Sequence, residues 1–203
     1  DEFIPMLASH WYIADDHRTV YYKLDPRVTW SDGEPVTAED YVYAYEFMTS
    51  DEIRDPAVTR TMQRLIQSVE KLDEHTIKVV SPQQSWRPLS DMNFAPVPKH
   101  ATELDEDWVD ETNYEPPVVV GPYTISDWEV NKSVTFERVD NWWGDKQKYL
   151  TGLYNFDEIE MPVINDRDRT FDYFQKHQLD YQEIYTARRW AEELDFEAIN
   201  NGW

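Results

Sequence analysis

The chain has 203 residues, with 41 Asp and Glu against 19 Lys and Arg, so its formal charge is −22. This charge argues against nucleic acid and anionic membrane surfaces as partners, because no continuous basic face is available to replace their counterions. A 40% hydrophobic share with 15% aromatic residues excludes intrinsic disorder, since enough apolar surface is present to offset chain entropy.

The first predicted elements are a strand and a helix. Residues 1–5 show neither the basic nor the apolar region of a signal peptide, so we expect a processed protein or a fragment. Residues 19–24 are rich in β-branched and aromatic residues, which predicts a strand. Thr37, with Asp40 three residues later, forms the Asp variant of a capping box and predicts a helix start. That helix continues through an apolar stripe at Tyr41, Ala44, Tyr45 and Met48.

A second helix, a strand and an irregular segment follow. After Asp55-Pro56, apolar residues recur at helical spacing from Val58 to Leu72, which predicts a helix of about four turns. Alternation over residues 76–80 predicts a strand, and the Pro-rich stretch 82–98 predicts a surface excursion. Residues 102–117 are acidic and bounded by proline, which makes them the predicted domain boundary.

The last third of the chain has the most regular pattern. Residues 121–125 and 134–138 are predicted to be paired strands, and residues 156–164 another strand. Residues 170–177 predict a helix, and residues 179–184 predict a strand after it. A strand, a helix and a strand in this order predict a βαβ unit with parallel pairing.

The sequence contains no residue pattern that indicates catalysis. It has no cysteine, and none of its five histidines is in HExxH spacing. Asp166 and Asp168 could hold Ca²⁺ weakly, but a solvated acidic loop explains them better. No GxSxG elbow accompanies Ser9-His10 and Asp16-His17, and 41 acidic residues make carboxylate pairs uninformative.

Nine tryptophans are an excess for a chain of this length. Buried tryptophans supply large core area, whereas exposed ones suit a broad ligand cleft that tolerates varied side chains. The pair Trp142-Trp143, followed by Gly144, is predicted to be a structural plug.

Two groups of short motifs follow one another along the chain. The first group comprises Leu7-Ala8-Ser9-His10-Trp11, Asp15-Asp16, the strand 19–24 and the run from Trp30 to Asp40. The second comprises Val120-Gly121-Pro122-Tyr123, Trp128, Glu137-Arg138, Asn141-Trp142-Trp143 and Leu179-Asp180-Tyr181. In this order and separation they resemble solute-binding protein family 5, the extracytoplasmic oligopeptide-, dipeptide- and nickel-binding proteins of ABC importers.

Further motifs resemble the YejA-like branch of that family, namely Asn155-Phe156-Asp157, Asp168-Arg169-Thr170 and the run from Thr186 to Trp190. Two positions depart from the family pattern. Gln178 precedes Leu179-Asp180 where many relatives have glycine, and His10 stands where an acidic or small residue is usual.

The resemblance implies a mixed α/β (α+β) fold: a lobe like that of periplasmic binding proteins of type II, with a mixed sheet flanked by helices. Residues 1–35 and 116–203 would form part of the main α/β lobe, and residues 36–115 a small inserted α+β subdomain. Family members are considerably longer, so the second lobe, which closes over the ligand, is expected to be absent.

The same resemblance implies a non-enzymatic, monomeric periplasmic protein that captures oligopeptides without a cofactor and delivers them to an ABC transporter permease. Glu183, Tyr185 and Thr186 are the expected ligand contacts, with Ser9 and Trp11 as lesser candidates.

Several alternatives remain open at the sequence level. The chain could be a carboxylate-based hydrolase, a peptidase or a glycosidase, or a structural fragment without ligand affinity. Within the binding class, nickel or haem stays an alternative ligand, although no cluster of His or Cys supports either. The charge of −22 fits solubility in a saline habitat or a preference for cationic peptides; the spread of the acids along the chain favours solubility.

Overall fold

The fold was analysed in a computed structural model that describes residues 3–53, 55–105, 107–108, 112 and 115–200. The chain divides into two compact units. The first comprises Asp1–Ser126 with Phe136–Ile159, and the second comprises Asp127–Thr135 with Glu160–Trp203.

A four-stranded antiparallel sheet lies at the centre of the first unit. Its strands are β1 (Ala8–Ile13), β2 (Thr19–Leu24), β3 (Ser68–Asp73) and β4 (Thr76–Val80), in the order β1-β2-β4-β3. In β4 the buried residues Ile77 and Val79 alternate with less buried ones, so one face of this strand is apolar. Val20 of β2 pairs with Val79 of β4, and both side chains are fully buried. The predicted strands at residues 19–24 and 76–80 are confirmed.

Helix α1 (Ala38–Thr49) begins where the capping pattern predicts. The Asp40 carboxylate accepts hydrogen bonds from the Thr37 amide at 2.8 Å and the Thr37 hydroxyl at 3.2 Å. It also accepts a hydrogen bond from the Lys99 amide at 3.2 Å, so one buried carboxylate fixes both the helix and the segment around Lys99. Such contacts satisfy amides at the helix start that have no intrahelical partner.

Helix α2 (Pro56–Leu65) is shorter than the predicted helix over residues 58–72. Its C-cap residue Ile66 has extended backbone angles, φ −125° and ψ 125°, and the chain then enters β3. The prediction was wrong beyond Leu65 because antiparallel pairing of Val69 with Val79 determines this segment, and helical spacing of apolar residues cannot reveal that pairing.

The Pro-rich stretch 82–98 is not simply a surface excursion. It contains the short helix α3 (Pro88–Asp91), and Met92 directly after it is only 1% exposed. Met92 belongs to the same hydrophobic core as Trp30, Trp142 and Trp143. An apolar residue in a loop carries no periodicity, so its burial was missed.

The pair Trp142-Trp143 is buried, as the plug prediction requires. Both indole N–H groups donate to the carbonyl oxygen of Val120, at 2.9 and 2.8 Å, and a 3₁₀ helix (Trp143–Lys146) starts at the second tryptophan. The two tryptophans therefore hold the backbone of Val120 against the core.

A second sheet has three strands, β5 (Tyr123–Glu129), β6 (Ser133–Arg138) and β7 (Glu158–Pro162), in the order β5-β6-β7. Asn131 has φ 60° in the turn between β5 and β6, a conformation that asparagine adopts more readily than most residues. The three strands predicted in this region are therefore confirmed with shifted ends.

Among the described residues, three helices follow β7: α4 (Arg167–Gln175), α5 (Ala187–Glu192) and α6 (Glu197–Asn200). Helix α4 starts earlier than predicted because Asp166 caps it. Residues 179–184, all of which are described, form no strand. The predicted βαβ unit is therefore wrong, because no strand among the described residues pairs with this segment.

The sheet order brings β1 and β2, from the predicted main lobe, together with β3 and β4, from the predicted subdomain 36–115. The predicted division of domains stays a prediction, and residues 106, 109–111, 113 and 114 of the predicted boundary lie outside the described residues.

Candidate functional site

The sequence-predicted site residues belong to different compact units. Ser9 and Trp11 lie on β1 in the first unit, and Glu183, Tyr185 and Thr186 lie in the second. Each group is described within its own unit.

Trp11 forms one wall of an apolar cavity of about 320 Å³ in the first unit. Successive side chains of β1 point to opposite faces of the sheet, so Trp11 lies on the half-buried face while His10 and Tyr12 are exposed. Phe3 meets the Trp11 ring edge-on, with ring centroids 6.4 Å apart.

The remaining walls come from distant parts of the first unit. Tyr22 of β2, Tyr41 of α1 and Phe94 after α3 line the cavity, and the Tyr41 and Phe94 rings pack edge-to-face at 5.6 Å. None of these three residues was among the predicted site residues. The excess of aromatic residues in the sequence was the available signal, but only the fold brings positions 3 to 94 together.

The two tyrosine hydroxyls of the cavity stay protonated. Burial raises the pKa of Tyr22 and of Tyr41 well above the ordinary value of 10.0, and the neighbouring Tyr22 and Asp40 add to the effect at Tyr41. The Tyr22 hydroxyl donates a hydrogen bond to the Met92 carbonyl oxygen at 3.3 Å. None of the described residues that line the cavity carries a charged side chain.

Ser9 does not line this cavity. Its hydroxyl donates to the Lys23 carbonyl oxygen at 3.1 Å and lies 3.1 Å from Nδ1 of His10. An irregularity in the pairing of β1 with β2 falls between Ala8 and His10, which separates Ser9 from the regular alternation. The structure therefore gives Ser9 a local backbone contact, whereas Trp11 borders a cavity.

The segment with Glu183, Tyr185 and Thr186 is exposed in the second unit. Exposure alternates from Tyr181 to Tyr185, with Tyr181, Glu183 and Tyr185 exposed and the two residues between them half-buried. Tyr185 is 80% exposed. The Tyr181 hydroxyl donates to Oε1 of Glu183 at 3.1 Å, and this contact with the carboxylate raises the pKa of Tyr181.

The end of the segment is held by α5. Thr186 is the N-cap residue of that helix, and the Trp190 indole N–H donates to the Ile184 carbonyl oxygen at 2.9 Å. The result is an aromatic and acidic face on an anchored segment. Whether these residues contact a ligand stays a prediction.

The acidic residues that the sequence offered as possible metal or catalytic groups make hydrogen bonds and ion pairs within the protein. Asp166 accepts hydrogen bonds from the amides of Asp168 and Arg169, at 2.8 and 2.9 Å, and Asp168 pairs with Arg189. Asp16 likewise binds backbone and hydroxyl groups two and three residues ahead. Across the described part of the chain, no group of three or more His, Asp or Glu side chains could hold a metal ion.

Among the residues that the structure describes, no helix has both the length and the apolar character that crossing a bilayer requires.

Comparison with known proteins identifies the family and the fold of the chain. Residues 2–201 match the family model for bacterial extracellular solute-binding proteins, family 5 Middle. The chain belongs to this family. The match covers nearly the whole chain, so it includes both compact units.

Curated relatives are identical to this chain at about a quarter to three tenths of the aligned residues. A binding protein of Brucella melitensis biotype 1 is 29% identical over 97% of the chain and 32% of its own length. The probable peptide-binding protein YejA of Agrobacterium fabrum is 28% identical over 97% of the chain and 33% of its own length. The peptidoglycan-binding protein YepA of the same organism is 26% identical over 93% and 32%. The chain thus spans about a third of the length of these relatives.

Solved structures confirm the fold class. The oligopeptide-binding protein AppA of Bacillus subtilis, solved with a nonapeptide, superposes with a TM-score of 0.77 at 19% identity, over 95% of this chain and 37% of its own. A periplasmic oligopeptide-binding protein of Thermotoga maritima, bound to mannohexaose, gives 0.76 at 23% identity, over 96% and 35%. The chain therefore has the mixed α/β fold of type II periplasmic binding proteins, and its resemblance to family 5 and to YejA is confirmed.

Proposed function

We propose that the chain is part of the substrate-binding component of an ABC importer and captures oligopeptides in the periplasm for uptake through a membrane permease. The observation that carries this proposal is the family match over residues 2–201. The fold likeness to an oligopeptide-binding protein solved with a nonapeptide supports it. Its action is binding rather than catalysis, it acts as a monomer, and it needs no cofactor.

The proposed ligand contacts are Glu183, Tyr185 and Thr186, with Ser9 and Trp11 as secondary contacts. High exposure of Tyr185 supports this choice, because a side chain that is 80% exposed is accessible to a ligand. The proposal retains the division into a main lobe, residues 1–35 and 116–203, and a subdomain, residues 36–115. The lobe that closes over the ligand by hinge motion would lie outside this chain.

Native mass spectrometry with a mixed pool of peptides of two to nine residues tests the proposal, using mannohexaose as a non-peptide competitor. Intact peptides retained one to one on the folded chain are the expected result. Shortened peptides in the pool would instead identify a hydrolase. An unchanged pool with no retained mass would favour a structural fragment without affinity.

Two variants test the contact residues. Tyr185→Ala and Glu183→Gln should each weaken retention about fivefold, the equivalent of roughly one hydrogen bond or aromatic contact. Tyr149→Ala is the matched control, because Tyr149 is 50% exposed but belongs to the other compact unit. Equal retention by all three variants would remove residues 183–186 from the proposed site.

A further inference from the structure

One side of residues 181–185 combines two exposed aromatic rings with a carboxylate. Tyr181 and Tyr185 are 75% and 80% exposed, although tyrosine is a residue of intermediate burial in folded proteins. Glu183 lies between them in the sequence, and the alternation of exposure puts the three side chains on one side of the segment, the 181–185 face. The hydrogen bond from the Tyr181 hydroxyl to Oε1 of Glu183, at 3.1 Å, brings two of them into contact. This face therefore offers negative charge and ring surface together.

The carboxylate of Glu183 has no cation beside it in the described part of the chain. No Lys, Arg or His that the structure describes forms an ion pair with it, whereas Glu192 of the neighbouring helix α5 pairs with Arg188 at 3.1 Å. The Tyr181 hydroxyl occupies one of about four acceptor positions of the Glu183 carboxylate. The remaining positions are accessible to a donor from outside, because Glu183 is exposed.

The backbone under the 181–185 face is held at several points. The Trp190 indole N–H donates to the Ile184 carbonyl oxygen at 2.9 Å, and the Gln182 side-chain amide donates to the Glu183 carbonyl oxygen at 2.7 Å. Thr186 directly afterwards is the N-cap residue of α5. A segment that is already anchored loses less conformational freedom when its side chains bind a partner, which favours binding.

The chemistry of the face fits a cation. A carboxylate forms its strongest hydrogen bonds with ammonium and guanidinium groups, and a tyrosine ring attracts a cation within about 6 Å of its centroid. Residues two apart in an extended chain are about 7 Å apart, so a cation bound at Glu183 lies within reach of a ring on either side. A neutral side chain would gain the ring contact alone, and an anionic one would meet a like charge.

We propose that the 181–185 face selects peptides that carry a lysine or arginine side chain, with Glu183 as the counter-charge and Tyr185 as the ring that covers the cation. This specificity rests on the proposed capture of oligopeptides and adds the class of peptide to it. The face lies wholly within the second compact unit, and its preference is local rather than a result of the overall charge of −22.

Competition between three pentapeptides measures this specificity. Each has the sequence Ala-Ala-X-Ala-Ala, in which X is lysine, glutamate or norleucine, and norleucine has the aliphatic side chain of lysine without its ammonium group. Equilibrium dialysis of the full chain against the mixture, in about 0.15 M NaCl to screen distant carboxylates, gives the ratio of retained peptides. We expect the lysine peptide to bind about fivefold more tightly than the norleucine peptide, because an exposed ion pair and an exposed cation–π contact each contribute modestly. The glutamate peptide should bind most weakly.

Three variants locate the preference. Glu183→Gln removes the charge and should bring the ratio of lysine to norleucine peptide to about one, and Tyr185→Leu, which replaces the ring by an aliphatic side chain, should lower it about twofold. Glu160→Gln is the matched control, because Glu160 is an exposed acid of β7 in the same compact unit and lies outside the 181–185 face. It removes the same charge and should leave the ratio unchanged. Each ratio is measured within one protein sample, so a smaller folded fraction in a variant does not alter it.

The outcomes distinguish this specificity from the capture of peptides. Equal retention of the lysine and norleucine peptides would refute the specificity and leave peptide capture intact. A ratio that Glu160→Gln lowers as much as Glu183→Gln would assign the preference to the net charge of −22, which also refutes a local site. Retention of none of the three peptides would contradict peptide capture itself, and the specificity would then be refuted as well.

Discussion

Gly144 lies against the ring of Trp142 so closely that a larger residue has no space. A Cβ atom at this position would lie 2.3 to 2.5 Å from three ring carbons of Trp142. We expect Gly144→Ala to displace the indole, weaken its hydrogen bond to Val120 and lower the free energy of unfolding by about 1–3 kcal/mol. Urea denaturation followed by circular dichroism measures this change.

Gly121→Ala is the matched control for that substitution. A Cβ at Gly121 meets no atom within 4 Å, so its effect on the free energy of unfolding should stay within about 0.5 kcal/mol. If the two alanine variants unfold at the same urea concentration, the Trp142 ring does not constrain residue 144.

Asp25 makes the free energy of unfolding depend on pH. It is 5% exposed, and hydrogen bonds from the Arg27 side chain, at 2.6 and 2.9 Å, hold the pKa of Asp25 at about 2 against an ordinary 3.8. Because the folded-state pKa is the lower one, this contribution is present above pH 4 and is lost as pH falls toward 2. We expect it to amount to at most about 2 kcal/mol in the free energy of unfolding.

Urea unfolding of the native chain and of Asp25→Asn between pH 6 and pH 2.5 isolates this contribution. The two free energies should converge as pH falls, because the protonated aspartic acid resembles the amide. A constant difference between them across the pH range would show that Asp25 contributes by packing alone.

Residue positions in the candidate site were only partly predictable. Trp11 was selected from a motif, and its place at a cavity follows from the alternation of β1. Tyr41 was predicted as a core position on a helix stripe, which it is, but its place in the wall of the cavity depends on the approach of residues 3 and 94. Contacts between distant parts of the chain leave no local pattern, so sequence reasoning had no means to find them.

At the scale of elements, the features that depend on neighbouring residues could be predicted from the sequence, whereas the features that depend on strand pairing could not. Helix α1 was predicted because its cap, Thr37 with Asp40, lies within one turn. Helix α2 was predicted to be too long because its downstream residues belong to β3, which is defined by a partner strand. The strand predicted at residues 179–184 was wrong for the same reason. An alternating pattern shows which side chains can be buried, but a strand also needs a partner strand to pair with.

Backbone amides in the segment 179–184 should therefore exchange quickly. Hydrogen exchange followed by mass spectrometry should give this segment little protection, whereas β4, which is hydrogen-bonded on both edges, should be among the slowest segments. Peptic peptides that cover β4 serve as the internal control. Comparable protection in the two segments would mean that residues 179–184 pair with a strand in solution.

At the scale of the whole molecule, the acidic charge is the dominant electrostatic feature. The side-chain carboxylates outnumber the Lys and Arg side chains by 41 to 19, an excess of 22 negative charges. Their mutual repulsion is strongest in the compact state and is screened over about 10 Å at 0.1 M salt. We expect the melting temperature to rise by several degrees, about 4 °C per kcal/mol, as NaCl increases from about 10 mM to 0.3 M.

Sucrose at the same osmolality is the control, because it stabilises compact states without screening charge. A melting temperature that salt leaves unchanged, or that rises equally in sucrose, would count against self-repulsion as the reason for the salt dependence.

The order of the first sheet also has a kinetic consequence. Strands β2 and β4 pair directly, although the chain between Leu24 and Thr76 is about 50 residues long and contains both α1 and α2. Closing such a loop costs conformational entropy before the pairing returns any stabilisation. The helices, whose hydrogen bonds are local, can form early, while the central pairing waits for the two ends to meet. The slow step in folding the first unit should then be the arrival of β4 at β2, and mutations at Val20 or Val79 should retard refolding more than mutations in α2.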